Sequence, residues 1–272
     1  MSSFNGKIAV ITGAGSGIGR ALSLELARRG ASLAISDVDT VGLAETEQQV
    51  AALGAQVRAD HLDVAQREQF AQYVDDVIAH FGRVNLVINN AGIAYTGAVE
   101  EMGFKDLDRV MDIDFGGVAN GTQLFLPHLI ASGDAHLVNI SSLFGILSVP
   151  SQSAYNAAKF AVRGYTEALR QEMRLAGHPV KVLCVHPGGI RTNIARNAEQ
   201  AEGRDHDQLA RSFDKVARMS PERAARVILQ AAEKDRARVL VGADAKALDL
   251  LVRVTGSRYQ GIVAAFSRRT GL

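Results

Sequence analysis

A chain of 272 residues with 30 basic and 29 acidic side chains, a net charge of +1 and 47% hydrophobic residues is long enough for one large α/β domain, and its balanced charge offers no global field to nucleic acid or anionic lipid. Its single cysteine, Cys184, excludes an intrachain disulfide and a cysteine-rich zinc site, and sits in an apolar run as a small hydrophobe would; no metal site is expected. The start Met-Ser-Ser-Phe-Asn-Gly-Lys lacks a signal peptide's apolar stretch, no Pro/Ser-rich linker divides the chain, and polar residues break the uncharged segments 115–133 and 135–158, so the expectation is one cytoplasmic domain over 1–272 without a membrane span.

Short β-rich runs at 7–12, 32–36, 56–61, 84–89, 136–141, 181–186 and 238–241 alternate with helical patterns near 17–30, 40–54, 65–82, 104–132, 152–177 and 221–235. The runs are nearly continuous in apolar residues, as in a parallel sheet covered by helices on both faces, where ligands bind beyond the carboxyl ends of the strands. After the first run comes Thr12-Gly13-Ala14-Gly15-Ser16-Gly17-Ile18-Gly19, opening a helix: glycines let backbone approach a pyrophosphate, and the helix start offers free N–H groups. The second run ends at Asp37, whose carboxylate can accept from adenosine ribose hydroxyls and would repel a 2′-phosphate; NAD is therefore favoured over NADP. The alternative is that Asp37 or Asp39 caps the next helix. Arg20, the residue that would argue for NADP, is expected on the first helical turn facing solvent.

The third run closes on Asp63-Val64, with Asp63 placed to bond an adenine amino group, and the fourth on Asn89-Asn90-Ala91-Gly92, whose backbone can pass along the adenosine ribose. Ser141 and Ser142 end the fifth. The helix after it carries Tyr155 and Lys159, four apart and so on one face. A free phenol titrates near ~10, and acid/base work at neutral pH needs a shift of roughly 2 to 3 units, which a neighbouring ammonium can supply.

Together these residues resemble the short-chain dehydrogenase/reductase family. The resemblance covers about residues 5–245 and rests on the Thr12–Gly19 motif, Asp63, Asn89-Asn90-Ala91-Gly92, Ser142, Tyr155-x-x-x-Lys159 and Pro187-Gly188-Gly189-Ile190-Arg191-Thr192. It implies a Rossmann-type doubly wound α/β sheet of about seven mostly parallel strands. Tyr155 would exchange a proton with the substrate oxygen, Ser142 would hold that oxygen, and Lys159 would lower the phenol pKa and bind the nicotinamide ribose. Ile190 and Thr192 would orient the carboxamide, with Pro187 and Gly188 alongside. Ser142, thirteen residues before Tyr155, is selected over Ser141. Where the family usually carries an asparagine, this chain has Asp114, counted with the catalytic set and expected to alter the pH profile. The resemblance also implies a homodimer or homotetramer.

The reaction implied is interconversion of a secondary alcohol and a ketone. The rivals are a hydroxysteroid, sugar or acyl-carrier substrate on the same fold, or a dinucleotide-sensing protein without chemistry. Leu143, Phe144, Ile146, Leu147, Ile93, Tyr95, Ile190 and Ile194 suggest an apolar pocket, with Phe144 against the substrate; Arg191 and Arg196 are read as surface residues. A lid is expected near 190–220. The extension near 243–272, apolar at 245, 248, 251, 252 and 254 with basic Arg253, Arg258, Arg268 and Arg269, reads as an amphipathic helix packing on its own domain or on a second subunit, with a membrane surface as the alternative.

Overall fold

The near-continuous apolar runs become β1 (Ile8–Thr12), β2 (Ser32–Asp37), β3 (Val57–His61), β4 (Leu86–Asn89), β6 (Ala135–Ile140), β7 (Val180–Pro187) and β9 (Arg238–Val241), all parallel in the order β3-β2-β1-β4-β6-β7-β9. The computed structural model describes residues 4–192, 194, 198–201 and 217–270. Two short strands, β5 (Tyr95–Thr96) and β8 (Glu199–Gln200), pair parallel outside this sheet. The helices are α1 (Gly17–Arg28), α2 (Thr40–Ala52), α3 (Arg67–Phe81), α4 (Phe104–Met111), α5 (Gly117–Ala131), α6 (Ser153–Leu175), α7 (Pro221–Glu233), α8 (Ala243–Thr255) and α9 (Tyr259–Thr270).

Both sheet faces are covered. Ile11, Leu33, Ile35, Ile88 and Val185 pack with Leu22 and Leu26 of α1 and Ile228 and Leu229 of α7, while Val10, Val87 and Leu137 face Phe70 of α3, Phe125 of α5 and Leu169 of α6. The order reverses between β1 and β4, and a crevice opens where the loops after these neighbouring strands part.

The helix expected over 104–132 is instead two. A π turn at Asp112–Gly116 separates α4 from α5 and carries Asp114 into the interior, where it is fully buried. A π turn accommodates an extra residue, rotating the faces before and after it, and Gly117 lets α5 press against Val64, where a Cβ would collide. The expected lid lies largely outside the described residues; of it, Ile190 bridges Met219 and Glu199–Gln200 form β8. Among the described residues no helix is long and apolar enough to cross a membrane.

A polar seam crosses the core beneath α6. Asn89 Nδ2 donates to Asn139 Oδ1 at 2.8 Å, its register partner on β6; Asn139 Nδ2 donates to Thr166 Oγ1 at 3.0 Å, and Thr166 donates to the Val162 carbonyl. Buried amides of this kind are stable only when paired, and the pairing fixes α6 against the sheet.

His136 on β6 is 2% exposed beside the Phe4 ring, and His186 on β7 is fully buried. Burial, aided for His136 by Lys181 and Lys7 and for His186 by Arg238 and Arg163, pushes both imidazoles down to about 4. The folded state therefore binds fewer protons than the unfolded chain, whose histidines titrate near ~6.5, and stability falls as pH drops from there toward 4. Denaturant unfolding at pH 5 is expected to show about 2 kcal/mol less stability per histidine than at pH 8. His136→Leu should lessen the drop; a flat profile in the native chain would contradict the assignment.

Candidate active site

Gly13 and Gly17 adopt φ of 66° and 52°, and a Cβ on Gly13 would lie 2.8 Å from Ala91 Cα, so only glycine lets the β1 loop pass this close to the β4 loop. Thr12 Oγ1 accepts from the N–H groups of Asn90 at 3.0 Å and Ala91 at 3.1 Å, while Asn90 Nδ2 donates to the carbonyls of Thr12 and Gly13. Thr12 thereby locks the two strand ends together, a role spacing alone did not reveal. α1 begins without a side-chain cap on its N–H groups and without an acidic residue in its first turn, leaving free donors for an anion.

Asp37 and Asp39 divide the work that had two readings. Asp39 caps α2 by accepting from Gly42 N at 3.1 Å, whereas Asp37 accepts from Gly15 N at 2.7 Å and Asp39 N at 2.9 Å and faces the cavity. Asp63 also faces it, and one oxygen accepts from Ala65 N at 3.0 Å, shaping the turn before α3. Arg20 does not face solvent as expected. Its guanidinium turns under the glycine loop and bonds Gly15 O, Gly42 O, Thr46 Oγ1 and Glu45 Oε2, because those acceptors converge between α1 and α2.

A cavity of about 1700 Å³ runs along these strand ends. Gly13, Ser16, Gly17, Ile18, Asp37, Asp63 and Val64 line one part; Asn90, Ala91, Gly92, Ser142, Phe144, Tyr155 and Lys159 line its floor and centre; Pro187, Gly188, Ile190 and Thr192 line a third side. Gly19 lies behind the loop, where a Cβ would strike the Gly13 carbonyl, and does not line it. Leu143, Leu147, Ile93 and Ile194 contribute to the wall, but Tyr95 and Ile146 are buried away from it. Arg191 is exposed, and Arg196 lies outside the described residues.

Tyr155 and Lys159 belong to one buried stripe of α6 that continues through Val162, Thr166 and Leu169. Ser141 and Ser142 diverge as strand alternation requires: Ser141 Oγ donates to the Lys159 carbonyl at 2.8 Å, whereas Ser142 Oγ accepts from Phe144 N at 3.1 Å and acts to lower the Tyr155 phenol. Behind Ser142, His186 Nδ1 donates to the Ser142 carbonyl at 2.8 Å, and Cys184 lies at its other ring nitrogen, 3.4 Å away. Burial pushes the Cys184 thiol up to about 12, so it is inert.

Asp114 stands behind Lys159 rather than in the cavity. Its Oδ2 lies 3.0 Å from Lys159 Nζ, its Oδ1 accepts from Ile93 N at 2.7 Å, and Lys159 Nζ is 5.4 Å from the Tyr155 ring centre. Gly92 makes room for this pair, since a Cβ there would lie 3.2 Å from Nζ. Burial pulls Lys159 down, but the Asp114 carboxylate and Tyr155 more than offset it and the net shift is upward, keeping an ammonium. Burial pushes the Asp114 carboxyl up against the pull of Lys159. For Tyr155, burial raises the phenol, Lys159 lowers it, Asp114 raises it again and Ser142 lowers it; the net is upward. Lowering by Lys159 is therefore present but outweighed by desolvation and by the carboxylate behind it. Asp114 itself does not line the cavity and meets it through two lining residues, Lys159 and Ile93.

Asp244, at the start of α8, accepts from Gly189 N at 2.6 Å and so ties the C-terminal helices to the loop after β7; it too escaped the sequence reading. Its signal was faint: a lone acidic residue after a glycine at a helix start.

A family model described as short chain dehydrogenase matches residues 7–203. SadH of Mycobacterium tuberculosis, an oxidoreductase by name only, is 63% identical over 266 residues, spanning 97% of this chain and 96% of that protein. Cyclohexanol dehydrogenase of an Acinetobacter species is 34% identical over 200 residues, 73% of this chain and 79% of that enzyme. A short-chain dehydrogenase/reductase of Burkholderia phymatum, solved with NAD, superposes with a TM-score of 0.88 at 32% identity, covering 96% of this chain and 97% of that one.

Proposed function

This chain belongs to the short-chain dehydrogenase/reductase family and is an oxidoreductase of that type, and from that premise we propose that it interconverts a secondary alcohol and a ketone with NAD as the preferred cofactor. The observation that carries the reading is the convergence of Ser142, Tyr155 and Lys159 on the floor of one cavity whose other end is the glycine loop.

The residues present fit a dinucleotide. The uncapped start of α1 and the Gly13–Ile18 loop would hold the pyrophosphate, Asp37 the adenosine ribose and Asp63 and Val64 the adenine, with the Asn90, Ala91 and Gly92 backbone passing along the adenosine ribose. Tyr155 and Lys159 would hold the nicotinamide ribose, with Pro187, Gly188, Ile190 and Thr192 beside the ring. When bound, the cofactor supplies the hydride acceptor or donor. Tyr155 takes the alcohol proton as the C–H bond breaks, within the roughly 3 Å reach such a transfer needs. Ser142 donates to the same oxygen and keeps it oriented, and Lys159, held cationic by Asp114, stabilises the phenolate.

Two features favour NAD. Asp37 would repel a 2′-phosphate, and Arg20, engaged by four acceptors, is not available to bind one. In parallel assays with NAD and NADP, kcat/KM should favour NAD by at least about tenfold, equivalent to about 1.4 kcal/mol, and Asp37→Ser should erode the preference. Equal use of both cofactors would contradict this part of the reading. The relatives include both a cyclohexanol dehydrogenase and a 3-oxoacyl-[acyl-carrier-protein] reductase, and what supports an uncharged alcohol is the apolar lining at Phe144, Leu147 and Val149 beside Tyr155. Exposed Phe104 on α4 and Phe160 on α6 support a homodimer or homotetramer built on those helices. The lid near 190–220 within a single domain over 1–272 is retained as part of the proposal.

A further inference from the structure

The C-terminal helices α8 and α9 are pinned over the cavity at two points. Asp244 Oδ2 accepts from Gly189 N at 2.6 Å, and Tyr259 Oη accepts from Ser148 N at 3.1 Å, joining α9 to the loop after β6. Ala245, Leu248 and Val252 of α8 pack with Leu143, Leu147 and Tyr259, so the hairpin sits directly on the loop that carries Ser142.

Between the two anchors and along α9 beyond Tyr259 the hairpin turns apolar side chains toward the reacting end of the cavity. Leu248, Leu251, Ile262, Val263 and Phe266 line it, facing Phe144, Leu147 and Val149. Ile262 is 48% exposed although it lines the cavity, so its apolar surface is offered to an occupant rather than used in the core. Among the described residues, polar lining from these helices is confined to Asp244, already engaged by Gly189, and Ser267. The surface is continuous with the chemistry, because the Phe144 ring meets the Tyr155 ring edge-on at 6.1 Å. At about 1700 Å³ the cavity exceeds the roughly 300–1,000 Å³ of an ordinary small-molecule site, leaving space beside a dinucleotide for a long second ligand.

We propose that the α8–α9 hairpin is the wall of a hydrocarbon subsite, and that the substrate is a secondary alcohol or ketone whose extended alkyl body lies between this wall and Phe144, Leu147 and Val149. The inference rests on the alcohol/ketone reading and specifies its substrate class.

The test is a series of 2-alkanols from 2-butanol to 2-decanol with NAD. Each buried methylene is worth ~0.8 kcal/mol, so kcat/KM should climb by up to about fourfold per carbon. Leu251→Asn and Phe266→Asn should each lower the 2-decanol to 2-butanol ratio of kcat/KM by at least about tenfold; Phe266, exposed at the surface, is the variant that keeps the fold if Leu251→Asn does not. A flat series, or equal slopes in the native chain and the Phe266 variant, overturns the subsite. If no alkanol is turned over, the reaction reading fails and the subsite is decided separately by calorimetry of 2-decanone with the NADH-bound protein. Binding weakened at least about tenfold by Phe266→Asn upholds the subsite, and unchanged or absent binding overturns it. A flat series accompanied by phosphatidylglycerol vesicle binding that Phe266→Asn abolishes assigns the apolar face to a lipid surface instead, and also overturns it.

Discussion

Tyr155→Phe is expected to lower kcat for alcohol oxidation by about 10²–10⁴, the contribution of a positioned general acid/base, while weakening NADH binding only by the roughly fivefold that one lost hydrogen bond to the nicotinamide ribose costs. The substitution removes one oxygen and keeps the ring, so the edge-on contact with Phe144 and the burial stripe along α6 persist. Loss of turnover with retained cofactor binding therefore isolates the proton transfer from packing. The native phenol has its pKa raised by burial and by Asp114, against Lys159 and Ser142. Alcohol oxidation, which needs phenolate, should accordingly improve as pH rises. Turnover left intact in Tyr155→Phe would remove the phenol from the mechanism.

Asp114→Asn is expected to move the acid limb of the oxidation pH–rate profile downward. The carboxylate raises the Tyr155 phenol, and taking its charge away withdraws that push, so phenolate forms at lower pH; the same change withdraws the main support of the Lys159 ammonium against burial, so the alkaline limb should move downward too. The amide oxygen can still accept from Ile93 N, which preserves the π turn. Asp114→Leu is a different experiment, since it leaves the Lys159 charge buried without its partner and should cost roughly 3–5 kcal/mol of stability. A pH–rate curve for Asp114→Asn that overlays the native one would show that the carboxylate does not tune the relay.

The parts of the site set by local rules were readable from residues alone. Asp37, Asp63, Asn90, Ser142 and Pro187 fall at strand ends because apolar runs bounded by turn residues mark those ends, and Tyr155 and Lys159 share a face because helical spacing demands it. What depends on contacts between distant elements was not readable. Arg20 lies under the glycine loop only because α2 brings Gly42, Glu45 and Thr46 to it. The π turn that buries Asp114 breaks a pattern that reads as one continuous helix. Asn139 and Thr166 look like isolated polar residues until β4, β6 and α6 are packed together. The extension after β9 showed its amphipathic face, with 245, 248, 251 and 252 turned inward as spacing predicts and Val254 left exposed, but nothing in that spacing said the face would close the cavity.

The most direct measurement of the central claim is the absorbance of reduced nicotinamide in native protein given NAD and a panel of secondary alcohols that includes cyclohexanol and the 2-alkanols, with the ketone quantified in the same mixtures. The account predicts reduced cofactor and ketone appearing mole for mole with at least one member, and their loss together in Tyr155→Phe. Tight NADH binding with no ketone from any member would contradict it and leave the chain a dinucleotide sensor.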